Sequence, residues 1–145
     1  MPAHVTVLYP FMDSTLIDEQ VLRTLGEVAG AVPPFEYRLR ETRRFPSSLY
    51  LVPEPGDGYR ALTNGVYRAF PDYPPFAGKF DIVVPHVTVA HGDEAQLCEI
   101  EIELRIALPG SGVPARCGEM VLIEFRSPQW ETLRTFALGD VTVPQ

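Results

Sequence analysis

The sequence predicts an α+β fold: two pseudo-symmetric lobes of antiparallel sheet plus helices around a central cleft. Three observations carry that expectation. The tetrapeptide His4-Val5-Thr6-Val7 recurs as His86-Val87-Thr88-Val89. Segments that alternate apolar and charged residues mark strands with one buried face, and stretches with apolar residues at helical spacing lie between them. Each half then runs as motif strand, capped helix, strand, strand, the second displaced by 82 positions, which is a coarse internal repeat. The expected division is a single bilobal domain over 1–145, with lobe one at about 1–55, lobe two at about 80–140 and a connecting helix at about 57–70.

In chain order, Tyr9-Pro10-Phe11 ends the first motif strand, and Asp13-Ser14-Thr15 offers side-chain oxygens that cap a helix. Ile17, Val21, Leu25 and Val28 recur at helical spacing before Gly30 and Pro33-Pro34, so that helix is expected over about 15–29. Phe35 to Glu41 alternates apolar and charged residues, the mark of a half-buried strand. A loop over 43–48 leads to a strand at Leu49-Tyr50-Leu51-Val52. After the breaker Pro53 to Gly58, the residues Tyr59, Leu62, Val66 and Phe70 define a second helix. Proline-rich 71–78 is a loop, and Ile82 to Ala90 reads as one buried strand interrupted by Pro85. Glu94 to Leu108 fits a strand by alternation and a helix by Leu97, Ile100, Leu104 and Leu108; Asp93 as cap and Pro109-Gly110 as terminators favour the helix. Met120–Arg126 and Thr132–Leu138 are the last two strands expected.

The bulk properties narrow the function. A chain of 145 residues that is 46% hydrophobic buries a real core. No apolar run reaches the roughly 20 residues of a membrane helix, and no basic-then-apolar leader opens the chain, so no membrane partner and a cytoplasmic location are expected. A net charge of −7 argues against a long nucleic-acid track but permits a small phosphate ligand. Lys79 is the single lysine; Arg38, Arg40, Arg43 and Arg44 form the local basic cluster, with a planar fork that suits phosphate. Cys98 and Cys117 have no disulfide or zinc spacing, and no cofactor or metal is implied.

On an extended segment His and Thr two positions apart share a face, an imidazole and a hydroxyl roughly 7 Å apart. Two such arms in one cleft suit phosphodiester cleavage. A neutral imidazole takes the proton of the attacking oxygen, a protonated one supplies the leaving oxygen, and hydroxyls donate to the non-bridging oxygens. With an ordinary pKa of about 6.5, imidazole offers both forms near neutrality. His91, the third histidine, falls in the turn leaving the second motif strand.

The motifs HVTV and PHVTVA, the YPF after the first, and FRSPQWETLRTFALG near the end resemble the two-histidine (2H) phosphoesterase superfamily, in its 2'-5' RNA ligase-like branch. The resemblance covers nearly the whole chain, but it lacks the strand and helix that usually precede the first motif. It implies a metal-independent phosphodiesterase acting on 2',3'-cyclic or 2'-5' phosphodiesters of nucleotides or RNA ends, with His4 and His86 as the acid/base pair and Thr6 and Thr88 holding phosphate. The alternatives are RNA 2'-5' ligase activity, a non-catalytic phosphate- or nucleotide-binding module, and a structural domain. Tyr9, Arg43 and Arg44 are further candidates for substrate contact, and a homodimer through the first lobe's exposed sheet edge is a further expectation.

Overall fold

A computed structural model describes residues 4–78 and 84–139. The fold is α+β, with three α-helices, a four-stranded antiparallel sheet and a separate antiparallel pair. It divides into two compact units. The described residues of the first are 4–6, Glu36–Asp57 and Val84–Arg116; those of the second are Val7–Phe35, 58–78 and 117–139. The segments 1–55 and 80–140, expected as successive lobes, are therefore each shared between both units.

The first unit is built on β1 (Phe35–Phe45), β2 (Ser48–Glu54), β3 (Val87–His91) and β4 (Val113–Cys117), in the order β3-β2-β1-β4. Pro46 and Ser47 form the turn between β1 and β2, and the register runs Phe45 to Ser48, Arg44 to Leu49, Arg43 to Tyr50. Residues 43–45, expected in a loop, are instead the end of β1: the tight turn leaves their backbone groups to pair with β2. A bulge between Leu39 and Glu41 offsets the other end. Close by, Gly112 has φ +80°, and a Cβ there would come within 2.9 Å of Arg40 Cβ, so the turn into β4 takes glycine.

Alternation sorts this sheet into two faces. Thr42 and Arg44 of β1, Leu49 and Leu51 of β2, and Val87 of β3 share one, against which α3 (Glu94–Ala107) packs. Leu49, Leu51, Val87 and Leu97 of α3 are buried there. The other face carries Arg43, Tyr50 and Thr88 in one cross-strand row. The helical alternative for 94–108 is the one found. Asp93 accepts from the Gln96 amide at 2.8 Å while Gln96 Oε1 accepts from the Asp93 amide at 3.0 Å, a reciprocal cap. Ile102 and Ile106, which gave the segment its strand-like alternation, project outward at 57% and 81% exposure.

In the second unit α1 (Glu19–Gly30), α2 (Asp57–Ala69) and the hairpin β5 (Glu119–Arg126) and β6 (Gln129–Ala137) enclose Leu25, Ala29, Leu62, Val66, Met120, Phe136 and Leu138. The first helix starts later than expected. Asp13 accepts from the Thr15 amide and caps a short 3-10 turn, Ser14–Leu16, whereas Asp18 accepts from the Val21 amide and caps α1. Two acidic caps five residues apart divide what looked like one helix. Cys98 and Cys117 are free thiols, and burial pushes the Cys117 thiol above its ordinary pKa. Among the described residues no helix is long and apolar enough to cross a membrane.

Two further expectations are corrected, and one strand, β4, was not expected from the sequence. The second motif strand begins at Val87, so His86 precedes it, because Pro85 cannot donate to the ladder; Ile82 and Val83 lie outside the described residues. His91 is the last residue of β3, paired with Ser48, and not a turn residue. β4, with Pro114 inside it and Val113 39% exposed at the sheet edge, showed no buried alternation that would mark it.

Candidate functional site

The two motifs meet through their valines. Val5 forms an antiparallel bridge to Val87, although the first motif itself lies outside the strands β1 to β6. An antiparallel pairing continued one residue each way from such a bridge opposes residue 4 to residue 88 and residue 6 to residue 86; the bridge itself is isolated. Val87 lies on the buried, α3-covered face, and Thr88, next along β3, lies on the opposite face with Tyr50 and Arg43. His4 and Thr88 are exposed; Thr6 and His86 are half-buried.

His86 is held in one orientation. Its Nδ1 lies 2.8 Å from the carbonyl oxygen of Val84; a carbonyl only accepts, so Nδ1 carries the proton and donates. With Nδ1 as the donor, Nε2 is the accepting ring nitrogen. The ring also sits edge-on to Phe45 and Tyr50, at centroid distances of 5.3 and 5.4 Å, and those two rings stack on each other at 4.5 Å. Tyr50 is 5% exposed and Phe45 39%, so a nearly buried floor carries an open ring beside the imidazole.

The arginine candidates part company. Arg43 is on the motif face, its guanidinium 53% exposed and paired with Glu41 at 3.1 Å. Arg44 is on the covered face, bound to Glu101 of α3 at 2.7 Å. Glu101 also accepts from the Thr42 hydroxyl at 2.7 Å and meets Arg105 at 3.3 Å. These donors, Thr42 first and then Arg44, hold the Glu101 carboxyl below the usual range, and Glu101 holds the Arg44 guanidinium above its own. Tyr9 belongs to the second unit, where its carbonyl accepts from the Phe76 amide at 2.7 Å; the four motif residues all lie in the first unit.

Phe45 and Tyr50, which the sequence offers either as part of a base-stacking platform or, more often for such aromatics, as core, stand beside His86. The signal was the turn: a two-residue Pro46-Ser47 link fixes the β1–β2 register and so puts Arg43 beside Tyr50. Among the described residues no group of three or more His, Cys, Asp or Glu side chains is placed to hold a metal ion. Within the second unit an open groove of about 300 Å³ runs past Ser14, Ile17, Leu122 and Glu124.

A fold with paired His-x-Thr arms defines a class of phosphoester-handling proteins, and comparison with known proteins agrees. The model of the 2'-5' RNA ligase superfamily matches residues 1–128. The chain belongs to the two-histidine phosphoesterase superfamily, in its 2'-5' RNA ligase-like branch. A Geobacillus kaustophilus protein named "Putative phosphoesterase GK0864" is 30% identical over 93 residues, 61% of this chain and 51% of that protein. The chain spans about half the length of that relative. Among solved structures, Escherichia coli LigT complexed with 3'-AMP superposes with a TM-score of 0.60 at 19% identity, covering 94% of this chain and 76% of LigT. The Thermus thermophilus protein TT0787 gives 0.56 at 18%, with 94% and 78% covered. Both likenesses concern the fold.

Proposed function

We propose that the protein is a metal-independent phosphodiesterase acting on 2',3'-cyclic or 2'-5' phosphodiesters of nucleotides or RNA ends. The observation that supports this is the Val5–Val87 bridge, which joins the two repeated motifs that carry His4, Thr6, His86 and Thr88. Family membership supports the same chemistry. In hydrolysis one imidazole, neutral, takes a proton from water as the water oxygen bonds to phosphorus. The other, protonated, gives its proton to the ribose oxygen as the P–O bond breaks. The Thr6 and Thr88 hydroxyls donate to the non-bridging oxygens, where negative charge builds. With the 5'-hydroxyl of a second ribose attacking the phosphorus of a 2',3'-cyclic phosphate in place of water, and the 3'-oxygen leaving with the proton from the imidazolium, the same groups perform 2'-5' ligation.

The test is turnover of 2',3'-cyclic nucleotides and 2'-5' linked dinucleotides in the presence of chelator, for the wild type, His4→Ala and His86→Ala. Each substitution is expected to lower kcat by about 10²–10⁴-fold, the usual worth of a positioned acid or base. Turnover that survives both changes refutes the paired-histidine mechanism. Binding without turnover in the wild type identifies a nucleotide-binding module.

A further inference from the structure

We propose that Arg43 binds a second phosphate of the substrate, so that the site selects nucleotide or oligonucleotide ends bearing a phosphate beyond the one that reacts. This rests on the reading of the motif face as the phosphodiester site and names the ligand class that face prefers. Three observations support it. First, the pairings Arg43 to Tyr50 and Tyr50 to Thr88 put Arg43 on the same face as Thr88, two strands away, about 10 Å between backbones. An arginine side chain shortens that gap to the scale of one nucleotide.

Second, the surface between carries aromatic rings on which a base could stack. Tyr50 forms a nearly buried floor, and Phe45, on the same face as Arg43 and two residues beyond it, presents an open aromatic ring beside His86. Third, Arg43 is available in a way that Arg44 is not. Its partner Glu41 is 45% exposed, an ion pair that solvent screens and a dianionic phosphate displaces, whereas Arg44 is bound to Glu101, whose side chain is 12% exposed. The fork geometry of Arg43 suits a terminal phosphate oxygen pair.

The probes are adenosine 3'-monophosphate and adenosine 3',5'-bisphosphate, titrated calorimetrically into the whole protein. The bisphosphate is expected to bind the wild type about tenfold more tightly, the worth of one charge-assisted contact. Arg43→Gln is expected to erase that gap while leaving the monophosphate unchanged, and Arg44→Gln to preserve it. A wild type that binds the two equally, that binds neither at millimolar concentration, or whose gap persists in Arg43→Gln overturns the proposal. The two readings fail separately: turnover that survives loss of both histidines removes the acid/base mechanism, while the affinity gap still decides the role of Arg43.

Discussion

The Val84 carbonyl accepts a hydrogen bond from Nδ1 of His86 at 2.8 Å, a contact made inside the Val84-Pro85-His86 step just before β3. The backbone therefore sets the tautomer of the imidazole. In His86→Asn the amide nitrogen stands near Nδ1 and keeps this bond, but nothing replaces Nε2. The expected result is a kcat reduced by about 10²–10⁴-fold with nucleotide affinity and melting temperature unchanged, measured by turnover, calorimetry and thermal unfolding.

Phe45 and Tyr50 hold the other side of the ring. Removing the aromatic face in Phe45→Leu is expected to cost about 0.5–1.5 kcal/mol of stability, the worth of such a pair, because Phe45 is itself partly exposed. Turnover is expected to fall about tenfold as the imidazole loses its fixed angle, and Phe45→Tyr to restore most of it. Equal rates for Phe45→Leu and the wild type would remove the ring from the site.

Glu101 links α3 to the covered face of the sheet. Its carboxyl titrates below the ordinary glutamate range because Thr42 and Arg44 donate to it. The folded state thus holds the proton more weakly than the unfolded chain. The stabilisation is complete above the ordinary value of about 4.3 and is lost as pH falls through the lower folded value. Denaturant unfolding from pH 7 to 2 should show this loss below about pH 4, and Glu101→Ala should flatten it while costing about 1–3 kcal/mol at neutral pH.

Gly58 lies in the first turn of α2, where a Cβ would stand 2.3–2.5 Å from three atoms of the Phe35 ring. Alanine gains up to about 1 kcal/mol of helix propensity, against an overpacking cost of about 1–3 kcal/mol. Phe35 is fixed edge-on against Tyr59 at 4.8 Å and has little room to yield. Gly58→Ala is expected to be destabilised in urea unfolding, and a stabilised variant would contradict this packing.

Patterning revealed what local chemistry dictates. The span of α2 followed from Tyr59, Leu62 and Val66, and the start of α3 from Asp93, since caps and helical spacing act within a few residues. The pairing of the motifs was legible because a repeated strand implies a partner, and Val5 does meet Val87. Less legible was anything decided by register. Arg43 and Arg44 are neighbours of one chemistry, and the β1–β2 pairing sends one to each face. Bulges at Leu39/Glu41 and Leu49/Tyr50 shift faces without a composition signal. Asp13 and Asp18 are the same residue type in a cap position, and it is Asp18 that starts α1.

The Val5–Val87 bridge also has a kinetic meaning. It joins positions 82 residues apart, a loop whose closure costs about 4 kcal/mol of chain entropy beyond a constant term. β3 is likewise held by distant pairing, Ser48 with His91 and Leu51 with Val87, 43 and 36 residues apart, whereas α3 starts on the Asp93–Gln96 cap, 3 residues apart. The helix can form from local contacts, while the meeting of the two motifs waits for the longest of these closures. Under the proposed paired-histidine mechanism, activity regained during refolding is therefore a clock for that closure rather than for the appearance of helix.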